Sequence, residues 1–193
     1  MNTIPLATAK ARLAQYVEAK DNNRPALIHE AFAADATLTF SIDTDSISFP
    51  PKAEGADAIA ATLVSEFAKT FDRCRTYYIG DVAAALDGNA MTIPWLVVMR
   101  ETAASALRVG KGFYRWGFTA GDDGTYRIAS LHIHIERMDT IADPGAVTLT
   151  ALQAALPYPW LPAPVLAASI EAQTSAHPAL GFLNVFAQAT RMP

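Results

Sequence analysis

Two hydrophobic periods alternate along the first third of the chain. Apolar residues recur every three or four positions over residues 6–19, which predicts an amphipathic helix. Residues 25–34 repeat this spacing in a shorter helix, and Gly55 precedes a third one. Between the second and third helices, residues 37–42 alternate apolar and polar side chains, which is typical of a half-buried strand.

The pattern changes after residue 75, where β-branched and aromatic residues dominate four stretches. Short turns rich in glycine and aspartate separate them, so we expect the strands to pair as an antiparallel meander. The apolar run at residues 96–99 is unbroken, which predicts cover on both faces, from the core and from a partner subunit or the tail. The predicted strands span residues 76–86, 91–101, 107–118 and 126–135.

The composition shifts towards alanine, leucine and proline after residue 143. This segment carries few charges and is too short for a core of its own, so we expect it to pack on the preceding domain or on a second subunit. We therefore predict a domain at residues 1–143 and a helical extension at residues 144–193. The short helices predicted in the extension span residues 147–156, 165–173 and 180–189.

Composition and charge narrow the function classes. The chain has 193 residues, of which 51% are hydrophobic, enough for one sizeable core. Its net charge is -4 and no basic stripe is present, so we expect no nucleic acid partner. The single cysteine, Cys74, cannot form an internal disulfide, which favours a reducing cytoplasm. No apolar run is long enough for a leader or a membrane span, so we expect a soluble protein.

The order of these elements, together with several short strings, resembles the nuclear transport factor 2-like superfamily, and its SnoaL-like branch in particular. The matching strings lie at residues 16–18, 32–37, 55–59 and 124–128, and the resemblance covers roughly residues 5–140. It implies an α+β fold in which three N-terminal helices pack on a cone-shaped, curved antiparallel sheet that admits an apolar small molecule. The superfamily includes isomerases, dehydratases, cyclases, epoxide hydrolases and non-catalytic assembly domains, so the fold does not choose the function.

The catalytic residues of these relatives are not carried over intact. Tyr16 matches the helix-one tyrosine that holds the oxyanion in ketosteroid isomerase. Phe40 stands where the general base of that enzyme would be, and Tyr114 stands near its oxyanion-hole acid. Tyr77 or Tyr78 replaces the histidine of the dehydratase branches. The resemblance therefore disfavours ketosteroid isomerase chemistry.

A histidine pair in the last predicted strand is the strongest catalytic candidate. Strand alternation places His132, His134 and Glu136 on one face together with Ser130. Imidazole titrates near neutral pH, so we predict His132 as general acid and base, assisted by His134 and Tyr16. Two alternatives remain. The face could form a subunit interface or bond to neighbouring strands, or the histidines and Glu136 could begin a metal site, although residues two apart on a strand lie about 6.5–7 Å apart. We predict no metal.

Aromatic side chains are concentrated in the predicted sheet, which suits an aromatic or polycyclic ligand as well as an ordinary core. The predicted ligand-binding residues are Trp95, Tyr77, Phe113, Tyr114, Trp116 and Phe40. Two functions stay open. One is a small-molecule pocket protein with lyase, isomerase or cyclase activity that needs no cofactor. The other is a non-catalytic ligand-binding or oligomerisation protein. We expect a small apolar ligand in the cone, and a homodimer formed through the sheet.

Overall fold

The helices of the computed structural model, which describes residues 3–192, lie before and after the long strands. The first group contains α1 (Leu6–Asp21), α2 (Ala26–Ala31) and α3 (Ala56–Ala60), the last continued by a π-helical turn (Ala61–Ser65) and a 3-10 turn (Phe67–Lys69). A single turn, α4 (Val82–Ala85), is followed in the tail by α5 (Val147–Ala155), α6 (Ala163–Ala176) and a 3-10 helix (Pro178–Phe186). Within the described residues, no helix has the length and apolar character needed to cross a membrane.

Over residues 3–192, eight strands form one sheet in the order β2-β1-β7-β6-β5-β3-β8, with β4 paired to β5. The strands are β1 (Phe32–Ile42), β2 (Lys52–Glu54), β3 (Phe71–Ile79), β4 (Leu86–Asp87), β5 (Ala90–Glu101), β6 (Ala106–Ala120), β7 (Tyr126–Ala142) and β8 (Trp160–Leu161). The long strands β5, β6 and β7 pair antiparallel in chain order, as the predicted meander requires. The strand β1 instead pairs parallel to β7.

The predicted strand over residues 76–86 differs most from the structure. The strand β3 begins at Phe71, where polar neighbours hide the alternation, and it is held there by pairing with β5. It ends at Ile79 because Gly80 has a φ of 101° and turns the chain. The Asp81 side chain then accepts a hydrogen bond from the Ala83 backbone N–H and begins α4.

One face of the sheet, the inner face, packs against the N-terminal helices. Leu13 and Tyr16 of α1 and Ile59 of α3 are fully buried there, against Leu131 and Ile133 of β7. Because side chains alternate along a strand, the odd-numbered positions of β7 from Leu131 to Ile135 all belong to this inner core.

The opposite, outer face is covered in part by the tail. Leu149 of α5, Leu166 of α6 and Phe186 of the last 3-10 helix pack on Leu96 and Val98 of β5 in a second core. The unbroken apolar run of β5 therefore has cover on both sides, since Val97 and Met99 belong to the inner core. The tail of the same chain supplies the outer cover.

Candidate functional site

A small cavity lies between α1 and the inner face of the sheet. Its volume is about 30 Å³, room for about two water molecules. Ile47 and Phe49, from the segment that joins β1 to β2, stand beside it together with Phe40, whose ring stacks on Phe49 at 4.6 Å. Most of its remaining lining is aliphatic or aromatic, so its few polar atoms decide what it can bind.

Tyr16 is the central polar residue of this cavity. Its ring is fully buried and packs edge-on against Trp116, with ring centroids 5.1 Å apart, and against Tyr114 at 5.8 Å. Burial raises the pKa of Tyr16 to about 12, although the charge of Lys20 and the nearby Tyr114 hydroxyl oppose this. Within the described residues, the Tyr16 hydroxyl has no hydrogen-bond partner of normal geometry. It is therefore a neutral O–H donor.

A second unpaired donor, the indole Nε1 of Trp95, lies in the same lining. Trp95 stacks on Tyr114 at a centroid distance of 5.5 Å, and burial raises the pKa of the Tyr114 hydroxyl well above its ordinary value. The place of the indole depends on Gly112 of the neighbouring strand, because a Cβ there would lie 2.8 Å from the Trp95 ring. Glycine at this position lets Trp95 reach the cavity.

Lys20 brings a positive charge to the cavity. Its Nζ donates to Thr76 Oγ1 at 3.0 Å and to Cys74 Sγ at 3.2 Å, and it lies 3.3 Å from Asp21 Oδ1. Burial alone would lower the pKa of Lys20, but Cys74 and Asp21 together outweigh burial and raise it. The ammonium group therefore stays charged. Sequence reasoning missed Lys20, although its position four residues after Tyr16 on α1 places both on one helix face.

A buried carboxylate anchors this lysine without lining the cavity. Asp21 accepts hydrogen bonds from the backbone N–H of Thr76 at 2.7 Å and from Thr76 Oγ1 at 2.9 Å. The Tyr158 hydroxyl of the tail donates to the same carboxylate at 2.9 Å. Both carboxylate oxygens of Asp21 therefore accept hydrogen bonds, and Asp21 fixes the position of Lys20 from the side away from the cavity.

The predicted ligand-binding residues divide between the two faces. Phe40, Trp95 and Tyr114 line the cavity, whereas Trp116 belongs to the inner core behind it. Tyr77 lies in the outer core against the tail. The remaining predicted residue, Phe113, lies on the outer face and stacks on His134 at 4.6 Å.

His132 and His134 also lie on the outer face. Their neighbours Ile133 and Ile135 line the cavity, so alternation turns both imidazoles away from it. Burial lowers the pKa of His132, with the nearby Arg115 and His134 adding to the effect. The structure therefore does not bring the predicted set of His132, His134 and Tyr16 together, because the sheet separates the histidines from the tyrosine.

The polar groups of the described cavity lining are neutral O–H and N–H donors and one ammonium group. Among the described residues that line it, the polar groups are two tyrosine hydroxyls, the Trp95 indole and the Lys20 ammonium, with neither carboxylate nor histidine. Over residues 3–192, no three His, Cys, Asp or Glu side chains are grouped to hold a metal ion. The cavity can thus polarise a ligand oxygen, but it contains no side chain that would accept a proton at neutral pH.

Comparisons with known proteins address the fold. No curated protein matches the sequence. A Salmonella enterica nuclear transport factor 2-like superfamily protein is similar over 74% of this chain and 94% of its own, at 14% identity and a TM-score of 0.52.

Two structures with enzyme names are similar to the same extent. A putative scytalone dehydratase from Novosphingobium aromaticivorans covers 72% of this chain and 88% of its own, at 15% identity and a TM-score of 0.53. For a hexachlorocyclohexane dehydrochlorinase, LinA-type3, from Novosphingobium barchaimii the shares are 70% and 89%, at 12% identity and a TM-score of 0.53. At these identities the likeness concerns the fold, which confirms the predicted α+β cone.

The family model of the SnoaL-like domain matches residues 8–132. This match begins in the first turn of α1 and continues into β7, so it contains Tyr16, Lys20 and most of the cavity lining. The chain belongs to the SnoaL-like domain family.

Proposed function

We propose that the cone cavity binds a small, mostly apolar molecule through one acceptor oxygen, such as a phenol or an enolisable ketone. The observation that carries the proposal is the Tyr16 hydroxyl, which is buried and unpartnered beside the Lys20 ammonium. An unsatisfied buried donor costs about 1–3 kcal/mol, which a ligand oxygen would recover. The Trp95 indole N–H adds a second unsatisfied donor to the same cavity.

The size of the cavity indicates how a ligand would enter. About 30 Å³ is far below the roughly 300 Å³ of a small-molecule site, so entry requires side chains to move. Ile47 and Phe49 are half-buried and belong to a segment without regular structure, so they would be displaced at the lowest cost. An apolar ligand would replace their contacts with Phe40.

The same geometry suits lyase or isomerase chemistry that passes through an enolate or phenolate. Negative charge that develops on the ligand oxygen would be stabilised by the Tyr16 O–H and by Lys20, in a lining that excludes most water. The described lining holds no general base. That absence favours, as the second candidate, a non-catalytic ligand-binding protein of the same fold.

We also propose a homodimer formed through the sheet, for which only part of the outer face is available. Because α5, α6 and the last 3-10 helix cover β3, β5 and part of β6, a second copy would have to use the outer side of β1 and β7, so this dimer and solvent access to that side exclude each other.

The binding proposal is tested with 2-naphthol and naphthalene, which share a shape but differ in one oxygen. Titration followed by tryptophan fluorescence should give at least about tenfold tighter binding of 2-naphthol, the equivalent of one hydrogen bond. Tyr16→Phe should remove most of that difference. Tyr78→Phe is the matched control, since the Tyr78 hydroxyl donates to the Leu13 carbonyl and is outside the lining. Equal binding of both compounds, or binding of neither, would refute the proposal.

A spectroscopic measurement separates enolate stabilisation from simple binding. If Lys20 favours the anion, bound 2-naphthol should show its naphtholate absorption at a lower pH than free 2-naphthol. Lys20→Met should abolish this shift while leaving naphthalene binding unchanged. Bound 2-naphthol that ionises at the same pH as the free compound would leave the non-catalytic function as the better interpretation.

A further inference from the structure

An unbroken row of polar side chains crosses the outer face where β1 lies parallel to β7. Thr39 Oγ1 lies 2.8 Å from His132 Nδ1, and His132 Nε2 lies 3.0 Å from Ser41 Oγ. The same Ser41 Oγ lies 2.8 Å from His134 Nδ1. His134 Nε2 is 3.7 Å from Asp43 Oδ2. We call these five residues the outer row.

The Asp43 carboxylate, at one end of the outer row, determines the direction of the hydrogen bonds along it. A carboxylate only accepts, so we assign the proton of neutral His134 to Nε2, facing Asp43. His134 Nδ1 must then accept the Ser41 O–H. Ser41 Oγ in turn accepts from His132 Nε2–H, and His132 Nδ1 accepts from Thr39. The donors and acceptors from Thr39 to His134 Nδ1 are matched, and Ser41 donates to an imidazole whose Nε2 lies 3.7 Å from a carboxylate oxygen.

The neighbours of His134 hold its ring in place. Phe113 stacks on it with ring planes 25° apart, and 16% of the His134 side chain is exposed. Ser41 is half-buried, and Asp43 is exposed at the end of β1. A groove of about 590 Å³ begins at His134 and runs between the sheet and the tail, past Lys111 and Glu136. A reacting group can therefore reach the row from solvent or from this groove.

We propose that Ser41 is the nucleophile of a second site, one that transfers acyl groups from small carboxylic esters to water. The arrangement contains a nucleophilic hydroxyl, a base within hydrogen-bond reach and a carboxylate beside the base. The contact between His134 Nε2 and Asp43 Oδ2 is longer than a hydrogen bond, and catalytic contacts commonly tighten only when a substrate is bound. The cavity of the proposed function lies on the other side of the sheet and takes no part.

The reaction balances without a cofactor. Ser41 Oγ forms a bond to the ester carbonyl carbon while its proton moves to His134 Nδ1. The ester C–O bond then breaks, and the alkoxide leaves with that proton. Water attacks the acyl-serine and gives its proton to His134, and the proton returns to Ser41 as the acid departs. His132 Nε2–H donates to the Ser41 oxygen throughout, which stabilises charge on it.

The experiment uses the whole chain and a fluorophosphonate probe, which phosphonylates activated serines. Peptide mapping by mass spectrometry should find the probe on Ser41. Ser130→Ala is the matched control, because Ser130 lies on the same face of β7, is exposed and has no hydrogen bond to either histidine among the described contacts. Ser41→Ala should abolish labelling, and Ser130→Ala should leave it unchanged. Labelling of Ser41 no faster than labelling of Ser130 would overturn the proposal.

A second measurement covers the case in which a histidine variant folds poorly. Asp43 is exposed, so Asp43→Asn should keep the fold, and it should slow hydrolysis of p-nitrophenyl acetate at least about tenfold. His134→Gln, where circular dichroism shows it folded, should slow hydrolysis at least about 100-fold. Ser130→Ala should hydrolyse the ester at the wild-type rate. Hydrolysis that is unaffected by Asp43→Asn, or that is lost in Ser130→Ala, would refute the assignment.

Discussion

The two faces of the sheet differ in whether their polar side chains are hydrogen-bonded and reach solvent, although the same strands form both faces. On the inner face, the hydroxyl of Tyr16 and the indole N–H of Trp95 are buried without hydrogen-bond partners among residues 3–192. On the outer face, Ser41, His132 and His134 satisfy one another and stay within reach of solvent. The inner donors have no acceptor among the described residues, whereas the outer groups are hydrogen-bonded to one another.

The two faces also differ in how much of each is covered by other elements of the chain. The N-terminal helices close the inner face almost completely, and the tail closes only the part of the outer face formed by β3, β5 and β6. The polar row on β1 and β7 remains beside that tail. A fold that needs one side of a sheet for its core can therefore expose different chemistry on the other side.

The largest expected effect comes from removing the outer cover. Ending the chain after Ala146 uncovers six buried side chains, at about 1.5–3 kcal/mol each, so we expect a loss of roughly 9–18 kcal/mol, at least comparable with the whole stability of a domain. The shortened chain should aggregate or lose its cooperative thermal transition by circular dichroism. The uncovered residues are Tyr77, Ile79, Leu96, Val98, Leu107 and Val109.

A single-residue version of this test has a control within α5. Leu149→Ala should cost about 2–5 kcal/mol in urea unfolding, because Leu149 is 1% exposed in the outer core. Val147→Ala should change the unfolding free energy by less than about 0.5 kcal/mol, since Val147 is 72% exposed. A shortened chain that unfolds cooperatively, with Leu149→Ala no worse than Val147→Ala, would show that the tail is dispensable.

The next effect concerns the buried ion pair behind the cavity. Asp21→Ala should lower the unfolding free energy by about 3–5 kcal/mol, because it leaves the Lys20 ammonium buried without its carboxylate and removes two acceptors from Thr76. Adding Lys20→Met should restore part of the loss, as measured in a double-mutant cycle by urea denaturation. Additive losses would mean that the two side chains are not coupled.

Smaller and opposite effects are expected for two buried tyrosines. Tyr16→Phe removes a hydroxyl without a partner, so it should raise the unfolding free energy by about 1 kcal/mol while weakening ligand binding. Tyr78→Phe removes a hydrogen bond to the Leu13 carbonyl and should lower that free energy by about 1 kcal/mol. Equal destabilisation by both substitutions would indicate that Tyr16 has a partner within the protein.

The smallest effect is a pH dependence from the outer face. The lowered pKa of His132 means that the unfolded chain takes up a proton first as the pH falls. Its contribution to stability should thus be lost as the pH drops through about 6.5, and the loss should level off below the lowered pKa. His132→Gln should flatten the melting temperature over this range. A wild-type melting temperature that rises towards pH 5 would contradict the assignment.

Several features of the fold and site could be predicted because they depend on neighbouring residues. Helical spacing over residues 6–19 corresponds to α1, and the alternation of β7 separates His132 and His134 from Ile133 as expected. Short turns predicted the pairing of β5, β6 and β7. The start of β3 was missed because polar residues follow Phe71 there and this part of the strand is held by pairing with β5.

The sequence by itself determined which residues share a face, since the period of a strand or helix is a local property of the backbone. It did not determine which face is covered, because that depends on where α1 and the tail dock, through contacts between residues far apart in the chain. The tertiary structure therefore decided that Tyr16 meets Lys20 and Trp95 in a cavity. The tertiary structure also paired β1 with β7, which placed the two histidines beside Ser41 on the opposite side of the sheet.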